Sequence, residues 1–303
     1  MIIEERKNYY LVNLPEGPVL ATPTGGLRKK RGLRLCVGDR VAVEVLNSDT
    51  RQAVIHNVSK RTTFISRPPL ANMDLAVVVC TIIKPNLVYE ILDRFLFSAE
   101  YHDFSPVVVF NKTDLLSPGD LPHLEEVASA YDALGYTVGR CSAHTGEGID
   151  SMVEMWKGHN AFLAGPSGVG KSSILERVFP EIQFETNELS AQLDRGVHTT
   201  TFTRLLPIPG GGHIADTPGY SFLDIPTVPE DEVGLYFPEI AARTGRCRFS
   251  NCFHMQEPGC AVRADAESGG IAGWRYENYK KFYLTMQERN QRRPEGSSRR
   301  TTK

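Results

Sequence analysis

Short alternating runs of apolar and polar residues fill the first 65 positions. The segments 9–12, 19–22, 39–45 and 53–58 mix β-branched, aromatic and polar side chains, with Gly, Pro, Asn and Asp between them. Several short strands at this spacing predict a small β-barrel. The stretch Gly25-Gly26-Leu27-Arg28-Lys29-Lys30-Arg31-Gly32 reads as a loop dense in base, like the basic loop of an oligonucleotide-binding barrel. After Arg67-Pro68-Pro69, read as a linker, the rhythm changes. Leu75-Ala76-Val77-Val78-Val79-Cys80 and Pro106-Val107-Val108-Val109-Phe110 are continuous apolar runs, the pattern of strands buried on both faces. Helices are expected over 87–102 and 121–134, a strand over 136–141, and a further helix-to-strand passage ending at Ala164. Strands alternating with helices predict a parallel α/β sheet. From about 235 the pattern breaks into a Cys/His-rich region, a helix over 271–289 and an arginine-rich polar tail. The expected fold is multidomain: an oligonucleotide-binding-type barrel over 1–66, an α/β domain over 67–234, and a helical module with a basic tail over 235–303.

Composition adds limits. The 303 residues are 41% hydrophobic and 23% charged, enough for several domains with a sizeable core. No apolar run approaches the roughly 20 residues of a membrane span. Met1-Ile2-Ile3-Glu4-Glu5-Arg6 carries acids and no apolar stretch, so no secretory leader is expected. Six cysteines are too few for a disulfide scaffold, and a cytoplasmic protein is expected. The net charge of −2 conceals an asymmetry. Residues 1–67 hold 12 basic and 6 acidic groups, residues 270–303 hold 9 and 3, and the middle holds 13 and 27. Basic ends on an acidic centre suit flanking modules that meet a polyanion.

The chemistry lies in the middle. Gly165-Pro166-Ser167-Gly168-Val169-Gly170-Lys171-Ser172 fits the phosphate-loop pattern, between an apolar strand and a helical stretch that Ser173 opens. Its backbone N–H groups would cradle phosphates, Lys171 would reach the β- and γ-phosphates, and Ser172 would ligate Mg²⁺. Asn111-Lys112-Thr113-Asp114 follows an apolar strand and resembles the guanine motif N-K-x-D. A carboxylate at Asp114 can accept hydrogen bonds from guanine N1–H and the 2-amino group, which adenine cannot supply. Ser142-Ala143 looks like the loop whose backbone contacts guanine O6. Asp216-Thr217-Pro218-Gly219 resembles D-x-x-G, with Asp216 on Mg²⁺ through water and the Gly219 N–H sensing the γ-phosphate. In Gly196-Val197-His198-Thr199-Thr200-Thr201, Thr200 is expected to complete the Mg²⁺ shell, with Thr199 as the alternative. The usual order of these motifs starts with the phosphate loop. Here the guanine motifs come first, so the chain is expected to be a circularly permuted P-loop GTPase. Permutation is tolerated because the termini of compact domains often lie close together.

Beyond the switch lies Cys247-x4-Cys252-x-His254-x5-Cys260. Four thiol and imidazole ligands within 14 residues suit one closed tetrahedral Zn²⁺ site. Cys36, Cys80 and Cys141 have no partner pattern and read as small core residues.

With these elements in this order, nearly the whole chain resembles the ribosome small subunit-dependent GTPase A (RsgA) family. The resemblance implies GTP hydrolysis, GTP/GDP with Mg²⁺ and zinc as cofactors, and the small ribosomal subunit with its rRNA as partner. It also implies a late role in subunit maturation, with hydrolysis stimulated by the subunit. One departure is Gly196-Val197-His198, where many members carry Gly-Arg-His. Tyr220 stands where Ras-like enzymes place the water-orienting glutamine, so slow intrinsic hydrolysis is expected. His198 is the candidate to orient water, with Lys171 and Thr200 stabilising charge. No membrane partner is expected, and nothing resembles a dimerisation helix, so a monomer is expected. The alternatives are a GTPase switch in another RNA-related process and a zinc-bearing RNA-binding adaptor with negligible turnover.

Overall fold

The structure, a computed structural model, describes residues 1–6, 9–29, 33–47, 50–66, 68–182, 203–216 and 225–292. Its strands are β1 (Ile2–Glu5), β2 (Tyr10–Leu14), β3 (Gly17–Pro23), β4 (Val41–Asn47), β5 (Gln52–Val58), β6 (Phe64–Ser66), β7 (Pro69–Ala71), β8 (Leu75–Cys80), β9 (Ser105–Phe110), β10 (Thr137–Arg140), β11 (Asn160–Ala164), β12 (Arg204–Pro207) and β13 (His213–Asp216). Eleven of them form one sheet in the order β10-β9-β8-β11-β13-β12-β1-β2-β3-β5-β4. The order is that of a parallel α/β sheet continued into a small barrel.

In the α/β part, β8, β9, β10, β11 and β13 run parallel and β12 runs antiparallel to β13. The apolar run of β8 serves two cores because successive side chains point to opposite faces. Ala76, Val78 and Cys80 pack against Leu92, Phe95 and Leu96 of the helix Tyr89–Tyr101 and Val127 of the helix Leu121–Asp132. Leu75, Val77 and Val79 meet Ile149, Met152 and Trp156 of the helix Ile149–Trp156, and Ile174 of the helix Lys171–Val178. Both faces are therefore covered, as a parallel sheet requires.

The barrel closes through its first strand. The Ile2 N–H donates to Asp39 O, and the Gly38 N–H donates to Ile2 O, each at 2.8 Å. Strands β3 and β5 are parallel, and Ile2, Val12, Val19, Ala21, Leu35, Ala53 and Ile55 fill the interior. Two local expectations differ from the structure. Gly25–Lys29 is a short helix rather than open loop, begun by Thr24, whose Oγ1 accepts the Leu27 N–H. Pro69 does not belong to a linker. It starts β7, which pairs with β6, and Leu70 bridges to Val37 of the barrel. Strands β1 and β12, of four residues each, are too short to stand out by pattern.

The C-terminal region has its own core of Ile225, Val228, Val233, Phe237, Ile240, Val262, Ile271, Tyr279, Phe282 and Met286. Phe97, from the helix Tyr89–Tyr101, inserts into it and meets Phe282 edge to face at 5.6 Å. Below this contact lies a buried ionic cluster. Arg275, on the helix Gly273–Gln291, donates to Asp93 Oδ1 at 2.6 Å and to Glu239 at 2.6 and 3.0 Å. Tyr131 and Asn278 donate to the two Asp93 oxygens at 2.8 and 2.6 Å. All five side chains are buried. Removing one member leaves an uncompensated buried charge, which costs far more than breaking a surface pair. Asp93→Ala is expected to destabilise the protein by about 3 kcal/mol in urea unfolding followed by tryptophan fluorescence. Lys281→Ala, which removes an exposed partner of Glu90, is expected to change stability by less than about 1 kcal/mol. Equal effects would contradict this account of the junction.

Candidate functional site

Four loops meet at one edge of the parallel sheet. The first follows β9. Asn111 is buried, and its backbone N–H donates to Cys80 O at 2.9 Å. Its side chain clasps two other loops. Nδ2 donates to Val169 O at 2.8 Å, and Oδ1 accepts the Ala143 N–H at 3.0 Å. Lys112 takes a left-handed backbone conformation, with φ 64°, and its Nζ donates to Gly168 O at 2.6 Å and Lys84 O at 2.7 Å. Thr113 and Asp114 begin a single 3₁₀ turn, Thr113–Leu115. Ser142 Oγ donates to Asp114 Oδ1 at 2.6 Å and accepts the Thr145 N–H at 3.0 Å. A hydroxyl bond to one oxygen sets the plane of the carboxylate. So placed, the carboxylate can take a pair of donors from one edge of a base.

The phosphate loop leaves β11 and enters the helix Lys171–Val178 at Gly170. The close packing requires glycine at two points. A Cβ on Gly165 would lie 2.2 Å from Val79 O, and one on Gly170 would lie 2.3 Å from Asn111 Nδ2. Both residues have positive φ. The buried Val169 side chain anchors the loop in the sheet's core. Pro166 leads into an outer turn at Ser167 and Gly168, and Ser172 and Ser173 lie in the first turn of the helix. Lys171 Nζ donates to Gly165 O at 2.7 Å and Pro166 O at 2.8 Å. Burial pushes its ammonium down to about 8, and an adjacent phosphate would favour the charged form again.

Asp216 ends β13, which runs beside β11 with Phe162 opposite Ala215. The carboxylate therefore leaves the sheet at the same edge as the phosphate loop, and Arg204 Nε binds its Oδ2 at 3.0 Å. The glycine cradle, Lys171, Ser172 and Asp216 together fit a magnesium-bound nucleoside phosphate. The expected residues His198, Thr199, Thr200, Gly219 and Tyr220 lie outside the described residues. Two contributors were not singled out from the sequence. Arg177 braces the loop after β10 through Thr145 O at 3.1 Å, and Arg204 holds Asp216. Neither belongs to a motif, and only the fold brings them to the site.

The cysteine–histidine group assembles on the far module. The ligand atoms of Cys247, Cys252, His254 and Cys260 all lie within 4.8 Å of one another. Cys247 Sγ and Cys260 Sγ are each 3.5 Å from His254 Nδ1 and 4.0 Å from each other. Bonds of about 2.3 Å to sulfur and 2.1 Å to nitrogen put tetrahedral edges at about 3.6 to 3.8 Å, so the set fits zinc. The Ala261 and Arg263 N–H groups point at Cys247 and Cys260 sulfur, at 3.3 and 3.4 Å. Such outer bonds stabilise thiolate ligands. Tyr276 and Tyr279 hydroxyls fix the carbonyls of His254 and Phe253 at 2.8 and 2.7 Å.

Fold and site together define a circularly permuted P-loop GTPase. The RsgA GTPase family model matches residues 58–226. A "Small ribosomal subunit biogenesis GTPase RsgA" of Geobacillus sp. (strain WCH70) is 39% identical over 291 residues, 96% of this chain and 98% of the relative. Another of that name, from Moorella thermoacetica, is 41% identical over 81% of this chain and 82% of its own length. The crystal structure of YjeQ from Thermotoga maritima superposes with a TM-score of 0.83 at 34% identity, covering 95% of this chain and 97% of that one. YloQ, described as a circularly permuted GTPase, gives 0.78 at 28% identity, covering 97% and 95%. The chain belongs to the RsgA GTPase family, and it is a GTP-hydrolysing enzyme. Among the described residues no helix is long and apolar enough to cross a membrane.

Purified protein is expected to release one zinc per chain to a colorimetric chelator after thiol modification. Cys252→Ser is expected to release less than about a tenth of that, because a closed structural site needs all four ligands. Full zinc content in this variant would contradict the assignment.

Proposed function

We propose that this GTPase acts in late maturation of the small ribosomal subunit, with hydrolysis stimulated by that subunit. The observation that carries the reading is the Asn111 clasp, which joins the guanine-reading and phosphate-binding loops, in a chain whose full-length relatives are named for small-subunit biogenesis. In this reading Asp114 recognises guanine, with Asn111, Lys112, Thr113, Ser142 and Ala143 shaping its pocket. Residues 165–173 hold the phosphates. Ser172, Thr200 and, through water, Asp216 would hold Mg²⁺, while Gly219 would contact the γ-phosphate. His198 orients the attacking water. Bound Mg²⁺ supplies charge neutralisation at the phosphates, and Lys171 adds a fixed cation beside them.

Three units divide the work, with boundaries near 66 and 234. The barrel over 1–66 meets rRNA through phosphate contacts of Arg28, Lys29, Lys30 and Arg31, joined by the basic tail. The nucleotide domain occupies 67–234. A single structural Zn²⁺ on Cys247, Cys252, His254 and Cys260 orders the cysteine-rich loops of the module over 235–303. The protein works in the cytoplasm.

GTP turnover is to be measured alone, with purified small subunits, with large subunits and with free rRNA. Small subunits alone are expected to raise turnover by at least about tenfold, a transition-state gain of about 1.4 kcal/mol. His198→Ala is expected to remove most of that stimulation while leaving GTP affinity within about threefold. Stimulation by free rRNA equal to that by small subunits would contradict the subunit reading, and unchanged stimulation in His198→Ala would contradict the role of that residue.

A further inference from the structure

The strand β12 joins three parts of the molecule. It follows directly on the segment that holds the expected switch threonines, it pairs with β13, and it pairs with β1 of the barrel. One residue makes both pairings. Arg204 stands opposite Asp216 on one side and opposite Glu4 on the other. Directly opposed residues of antiparallel strands project from the same face, so Glu4, Arg204 and Asp216 form a row of alternating charge across the junction. Arg6, two residues along the same segment, lies with its Nε 2.5 Å from Glu4 Oε1.

We propose that Arg204 is the positioning residue for Asp216, holding its carboxylate for the magnesium-bound water and tying that position to the first strand of the barrel. This inference rests on the reading of Asp216 given under Proposed function. Three observations support it. Arg204 Nε binds Asp216 Oδ2 at 3.0 Å, with both side chains partly buried. The order β11-β13-β12 places Arg204 on the flank of β13 away from the strand that enters the phosphate loop, so the guanidinium reaches the carboxylate from the flank opposite that loop. And the Arg204 backbone is fixed on both edges by strand pairing, so its side chain starts from a rigid base. A hydrogen-bonded partner of this kind tunes a metal site through the group it orients.

The test uses the full-length protein and a fluorescent GDP analogue. Its dissociation rate is measured across a range of free Mg²⁺, which yields the Mg²⁺ concentration for half-maximal slowing. That concentration is expected to rise about tenfold in Arg204→Ala, the usual loss when the partner of a metal-orienting group is removed. Arg204→Lys keeps the charge and the strand and is expected to give a smaller rise, about threefold; it also keeps the test open if the alanine variant does not fold. In an Asp216→Asn background the effect of Arg204→Ala is expected to vanish, because the two residues act through one contact. A folded variant with unchanged Mg²⁺ dependence would reduce Arg204 to an ordinary cross-strand pair. A shift to lower Mg²⁺ would mean that Arg204 competes with the metal for Asp216, and would also overturn the inference. If release from the unmodified protein ignores Mg²⁺, the reading of Asp216 fails first.

Discussion

One buried amide holds the nucleotide site together. Asn111 sits at the end of β9 and spans, with its two side-chain atoms, the loop after β11 and the loop after β10. Neither bond can be replaced by water, because the side chain is buried and a lost partner there costs the full desolvation of a polar group. The glycine at 170 exists to let this amide approach. Chain order is irrelevant to such a clasp. The sheet brings the three loops to one edge whatever the sequence of their strands, which is why a permuted chain retains the site.

Permutation changes what the site is attached to. With β13 the last of the described strands along the chain, the chain passes from Asp216 toward the zinc module, and the module is pinned back onto the domain by Arg275 between Asp93 and Glu239. On the other side the barrel is joined by backbone pairing of β1 with β12. The strand that begins at Arg204 therefore has the barrel on one edge and the D-x-x-G strand on the other. The barrel thus abuts the strand beside Asp216, while the zinc module rests on the helix Tyr89–Tyr101 through Asp93 and Phe97.

Much of this was legible in the sequence where local pattern and chemistry coincide. The apolar runs of β8 and β9 and the phosphate loop are each specified by contiguous residues, and the Cys247–Cys260 spacing led to a group of ligands that does assemble. Less legible were features that depend on long-range pairing. β1 is four residues with two glutamates, and it is a strand only because β2, β12 and the Gly38–Asp39 backbone surround it. Arg275 reads as one more charge on a polar helix, yet it is buried, because its partners are 182 and 36 positions away. Pro69 looked like a linker because proline is rare inside sheets, yet a two-stranded hairpin edge accommodates it. His198, Thr200 and Gly219 remain readings of motif alone.

The central claim is that this permuted chain reads guanine through Asp114, with Ser142 fixing the carboxylate. Binding of GTP and of xanthosine triphosphate to the protein and to Asp114→Asn tests it most directly. Xanthine carries a carbonyl where guanine has its 2-amino group, and an asparagine can donate to that carbonyl while accepting from N1–H. The account predicts that Asp114→Asn loses GTP affinity by on the order of 10²–10⁴ and gains preference for the xanthine nucleotide. An unchanged preference for GTP would contradict it.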